Sequence, residues 1–159
     1  MTVESSNTTP TGNPRTTVKI AGHPIHPMLI PFPVAFFVSV LVTDIVFLNT
    51  GYPIWAMAST WLLAAGLFMA ALAALAGFID FFGSRAIRAL RPAWQHMIGN
   101  VIAVALSAVN LLVHFRDGAA SVGVLGVSLS AVVVLILLFT GWMGWEMVYR
   151  HRVGVADPD

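Results

Sequence analysis

The chain has 159 residues, of which 58% are hydrophobic and only 9% charged. A soluble domain carries roughly 25% charged residues, so this composition excludes an enzyme that covers its whole surface with water. Eight Lys and Arg against seven Asp and Glu leave a net charge of +1, too small to hold nucleic acid by counterion release, and the absence of cysteine removes disulfides, cysteine-held iron–sulfur clusters and thiol nucleophiles.

What remains is a small membrane protein. Residues 1–21 form a polar opening, rich in Ser, Thr, Asn and Pro as far as Thr17, with no apolar run to act as a signal peptide. That segment reads as a disordered tail. The character changes at Gly22, and residues 22–155 make one transmembrane domain, followed by a short tail at 156–159. A hydrocarbon core about 30 Å thick takes about 20 residues of helix, and four apolar stretches qualify: 33–48, 54–82, 94–115 and 122–149. Pro33 is a natural first residue for the first helix, since its missing N–H has no partner there anyway. Short connections between the stretches imply an all-α, up-down four-helix bundle. No strand pattern competes, and no internal repeat stands out.

Basic residues set the expected orientation. Four crossings put both termini and the 85–92 connection on one side, which carries Arg15, Lys19, Arg85, Arg88, Arg91, Arg150 and Arg152. The other side has Arg116 alone, so the termini are expected to be cytoplasmic, in a bacterial inner membrane.

Polar residues within the spans mark what faces the bundle interior, because lipid penalises them. On the second helix Gly66, Ala70, Ala73, Gly77 and Asp80 share a side, a stripe that lets a neighbouring backbone come close. On the third, Asn100, Ser107, Asn110 and His114 fall within about 40° either side of His96 at 100° per residue. Such a stripe either bonds helices together or lines a cofactor site or proton route. Asp44 lies in the first helix and is either a functional carboxylate or a hydrogen-bonded group near that end. His114 reads as a polar group at a helix end. Gly141, Gly144 and Glu146 on the fourth helix suggest close packing beside an acid.

Four of the five histidines gather at the terminal side: His23, His26, His96 and His151, level with Asp80 and Glu146. In Gly22-His23-Pro24-Ile25-His26-Pro27 the residue before each proline is pushed towards extended backbone, and a three-residue polyproline repeat would aim His23 and His26 the same way. Neutral imidazole is the commonest protein metal ligand. The set His23, His26, His96 and His151 is thus a candidate haem b ligand set, with Phe32, Gly77, Phe78, Phe81, Met97 and Met143 offering an apolar slot. A non-haem transition metal would instead take His23, His26 and His96 with Asp80 or Glu146. A structural role for all of these groups, with no cofactor, stays open.

The run His23-Pro24-x-His26-Pro27-Met28-Leu29-Ile30-Pro31-Phe32-Pro33 followed by Asp44 resembles the opening of a bacterial membrane family, the one catalogued as domain of unknown function 2231. Gly77-x-x-Asp80, His96-x-x-x-Asn100, Gly141-x-x-Gly144-x-Glu146-x-Val148-Tyr149 and Val153-Gly154-Val155 extend the likeness from Gly22 to Val155, although Trp145 stands where the pattern has a second glycine. The resemblance implies four helices and no assigned activity. Some relatives look to be joined to Rieske-type iron–sulfur modules, which implies electron-transfer company supplied here by a separate redox protein or membrane complex.

Three functions follow as expectations. One is a haem- or metal-binding electron-transfer subunit or partner, with Asp80 and Glu146 orienting the imidazoles. Another is a noncatalytic scaffold of a larger complex. The third is a proton or small-solute pathway along the third helix. The lipid bilayer is the one certain partner, and assembly of several copies is compatible with each reading. No catalytic residue set is legible: there is no nucleophile turn and no Gly-rich phosphate loop.

Overall fold

The computed structural model describes residues 12–117 and 122–155. Residues 1–11 of the expected 1–21 tail, the tail at 156–159 and most of the third connection lie outside the described residues. The elements are β1 (Lys19–Ile20), β2 (His23–Pro24), α1 (Ile25–Leu29), α2 (Pro31–Thr50), α3 (Pro53–Gly83), α4 (Arg85–Arg88), α5 (Arg91–Asp117) and α6 (Val124–Tyr149).

Four spans are long and apolar enough to cross a membrane: Ile25–Thr50, Pro53–Gly83, Arg91–Arg116 and Val124–Tyr149. In lipid a backbone must satisfy its own hydrogen bonds, and an α-helix does so within one segment. The ends obey local chemistry. Gly51 closes α2 at φ 67°, a left-handed conformation that glycine adopts without a steric penalty, and Pro53 opens α3 at its first position. Leu75, Leu112, Leu135 and Leu138 are exposed on the outside of the bundle, where acyl chains rather than water would meet them.

α2 packs chiefly on α3 and α5 on α6, while α2–α6 and α3–α5 contacts close the ring. Small residues allow these approaches. A β-carbon at Gly66 would lie 2.7 Å from the Phe37 ring, and one at Gly99 would collide with the Thr140 methyl. Phe37, Val40, Leu63, Ala70, Ala103 and Val133 make the central core.

The first helix differs from expectation. Helical geometry begins at Ile25, with Pro24 as its extended N-cap at ψ 128°, and Pro27 sits in the first turn where an N–H has no helical partner. His23 and His26 therefore do not share a polyproline face. Lys19–Ile20 and His23–Pro24 pair as a minimal antiparallel ladder, turned through Ala21 (φ 48°) and Gly22 (φ 83°), both left-handed as two-residue hairpins prefer.

The opening segment is also held in place. Asp80 at the end of α3 accepts from the backbone N–H of Thr17 (2.6 Å) and Val18 (2.9 Å). Gly154 N–H donates to the Pro14 carbonyl at 2.9 Å, and the Asn13 amide donates to the Val155 carbonyl at 3.3 Å. The part of the polar tail from Asn13 to Val18 thus crosses the chain's C-terminal segment and closes one end of the bundle.

Candidate functional site

Under that crossing lies an almost wholly apolar cavity of about 430 Å³, bounded by α1, α2, α3, α5 and α6. Thr16, Val153 and Gly154 border it at the terminal end, and Phe37 and Ala103 at its floor. His26 and His96 both line it.

These two imidazoles are presented in the same way. His26 Nδ1 bonds the Ala73 carbonyl at 2.7 Å, and His96 Nδ1 bonds the Thr140 carbonyl at 2.8 Å. A carbonyl only accepts, so Nδ1 carries the proton in each ring and the lone pair of the neutral imidazole is on Nε2. Neither Nε2 has a hydrogen-bond partner among the described residues. The ring centroids are 6.1 Å apart, with planes at 88°.

The helices make room for this arrangement with glycine. Each carbonyl belongs to the residue four positions before a glycine, Ala73 before Gly77 and Thr140 before Gly144. A helical Cβ leans towards the N-terminus, so a side chain at that position would cover the carbonyl. A β-carbon at Gly77 would lie 2.8 Å from His26 Cε1, and one at Gly144 would lie 3.3 Å from His96 Cε1. Gly141, expected to pack closely, has open space beside it. The two halves of the bundle carry one pattern: an imidazole, an ionisable residue eighteen positions on (Asp44, His114), then a carbonyl–glycine pair on the next long helix. That internal correspondence was not evident from the sequence.

The other expected ligands are elsewhere. His23 is exposed and donates through Nδ1 to the Ala21 carbonyl at 2.9 Å, because the hairpin turns it away from His26. His151 follows α6 with its backbone N–H on the Glu146 carbonyl and does not border the cavity. Glu146 pairs with Arg150 at 2.9 Å, a surface i,i+4 contact of small energetic weight. Asp80 borders the cavity, but one of its oxygens is taken by Thr17 and Val18. Asp80 and Glu146 therefore do not orient the imidazoles; main-chain carbonyls do. Among the described residues no three His, Asp or Glu side chains converge as a bare metal ion requires. Gly77, Phe78, Phe81 and Met97 line the cavity as expected, whereas Phe32 and Met143 do not.

Asp80 supplies the first test. Asp80→Ala removes two hydrogen bonds to a carboxylate, each worth about 1.5–3 kcal/mol. Residues 13–18 should open more often, and trypsin should cut at Arg15 or Lys19 at least about tenfold faster while the spans stay protected.

The polar stripe of α5 faces the bundle interior, as expected, but it divides in two. At the cavity, the Asn100 amide donates to the His96 carbonyl, and the Thr140 hydroxyl donates to Asn100 Oδ1 at 3.3 Å. Beyond the Phe37 floor, Ser107, Asn110 and His114 are buried at the far end, where His114 Nε2 lies 3.4 Å from Asp44 Oδ1. His114 is thus paired rather than a lone polar group at a helix end. Thr140 and Ser130, which sequence reasoning passed over, are both buried participants. Their signal was a hydroxyl amid Val and Leu on α6.

A family model described as Predicted membrane protein (DUF2231) matches residues 22–157. The chain belongs to DUF2231. The match takes in both imidazoles, both glycines and the far-end pair, so the whole DUF2231 region coincides with the bundle and its two polar clusters. No curated protein and no solved structure matches the chain.

Proposed function

We propose that this DUF2231 protein binds haem b between His26 and His96 and serves as an electron-transfer subunit or partner in a bacterial inner membrane, with its termini in the cytoplasm. The observation that carries the reading is the pair of imidazoles bordering the cavity, each tied at Nδ1 and open at Nε2. Metal-bound histidines commonly donate their other ring N–H to a carbonyl, which fixes the tautomer and makes the ligating nitrogen more basic.

Distance and ligand number favour haem over a bare ion. The two ring centroids lie 6.1 Å apart, close enough that both imidazoles would hold one iron. A bare ion takes four or more protein or solvent ligands, whereas haem brings four nitrogens of its own and needs two more. An apolar cavity of about 430 Å³ lies within the range of cofactor sites. Haem would supply one-electron chemistry. His26 and His96 would hold it, Phe37 and Phe81 would exclude water, and the Ala73 and Thr140 carbonyls would orient the two imidazoles. The excess of Arg and Lys beside the termini supports the orientation.

The test is a visible spectrum with elemental analysis on protein purified in mild detergent from haem-replete cells. A Soret band of one haem per chain, lost in His26→Ala and in His96→Ala, is the expected result. A colourless, iron-free preparation would reject the reading, and a stoichiometric non-haem metal would replace it.

A further inference from the structure

The far end of the bundle holds a second titratable group that the cavity does not use. Asp44 and His114 are fully buried, their side chains wholly out of contact with solvent. Every hydrogen bond around them constrains where a proton can be. His114 Nδ1 faces the Asn110 carbonyl at 2.9 Å and must donate. On the other side of the carboxylate, the Ser130 hydroxyl is 2.7 Å from Asp44 Oδ2 and donates to it. That leaves Ser130 Oγ to accept from the Asn110 amide at 2.9 Å. Donor and acceptor are therefore settled at every contact but one, Asp44 Oδ1 to His114 Nε2.

At that contact, a carboxylate facing an imidazole lone pair would set two acceptors against each other at 3.4 Å, too close for a water to fit between them. A carboxylic acid facing an imidazolium would set two donors against each other. Only an intermediate count fits, one proton, and because the Ser130 hydroxyl donates to Asp44 Oδ2 and so stabilises the carboxylate, that proton rests on His114 Nε2. We infer that Asp44 Oδ1 and His114 Nε2 form a proton-binding site within the membrane that holds one proton and in that state joins α2, α5 and α6.

Among the described residues nothing else competes for that proton. The neighbouring α3 offers Ser59, already bonded to Thr43 at 2.7 Å, and α6 offers Ser130. Arg116 on α5 is exposed. Among the described residues no other ionisable side chain faces the pair. Exchange with water is shortest through the far end, because α5 ends three residues after His114, whereas Phe37, Leu63 and Val133 fill the bundle on the cavity side. The site stands apart from the haem reading: His96 and His114 are about 27 Å apart along α5 at about 1.5 Å per residue.

The test uses the full chain in lipid vesicles with ¹⁵N-labelled histidine, His114 being identified by the signal lost in His114→Gln. The His114 Nε2 resonance should differ from that of an unprotonated imidazole nitrogen. Asp44→Asn, whose amide can donate to Nε2 while its oxygen accepts from Ser130, should move it to the unprotonated position and leave the cavity histidines unchanged. Ser130→Ala, which makes the carboxylate the stronger base, should move it the same way and serves if Asp44→Asn does not fold. A wild-type resonance already at the unprotonated position, or one that neither variant moves, would overturn the inference.

Discussion

Asp44→Leu should lower the stability of the bundle by about 3–5 kcal/mol, the usual cost of removing one member of a buried pair. The leucine leaves His114 Nε2 and the Ser130 hydroxyl without their acceptor, and both lie buried where they cannot turn to solvent instead. Asp44→Asn should cost only about 1 kcal/mol, because the amide reproduces both contacts with neutral groups. The double variant Asp44→Leu/His114→Leu should lose less than Asp44→Leu alone, since a lone buried imidazole is worse than none. Unfolding in mixed micelles, followed by loss of helical circular dichroism, measures all three. Equal losses for Leu and Asn would mean that the carboxylate contributes nothing through its hydrogen bonds.

The spans were legible in the sequence because membrane thickness and backbone satisfaction leave few alternatives. Their observed ends lie within three residues of those expected, apart from the first. There the prolines misled. The restraint that pushes His26 towards extended geometry yields when Pro27 falls in a first helical turn, where its ring and missing N–H do little harm. That difference parts His23 from His26 and dissolves the expected four-histidine set. The interior stripe of α5 was legible by angle alone, down to His114. Its partners were not, because Ala73 and Thr140 act through their carbonyls, which every residue carries. The available signal was indirect, a glycine four positions after each carbonyl. The Asp44–His114 contact joins residues 70 positions apart, and their equal spacing from His26 and His96 would have placed them at one depth.

The same glycines make the sharpest test of the cavity. Gly77→Ala places a methyl group 2.8 Å from His26 Cε1 and 2.9 Å from its Nδ1, closer than carbon atoms tolerate. The ring is the movable partner, so it should swing away and lose the bond to the Ala73 carbonyl while α3 keeps its course. Alanine favours a helix over glycine by about 1 kcal/mol, which offsets part of the local strain. Thermal stability of the cofactor-free protein should therefore change little. Haem affinity should fall about 10- to 100-fold, the usual effect of losing the group that orients a metal-bound histidine. Gly144→Ala, where the added carbon would lie 3.3 Å from His96, should follow in the same direction with a smaller loss. Haem titration of the cofactor-free variants reads the order directly. Wild-type affinity in Gly77→Ala would mean that the held imidazole is not a ligand, whereas collapse of the fold would mean that the glycine serves helix packing alone.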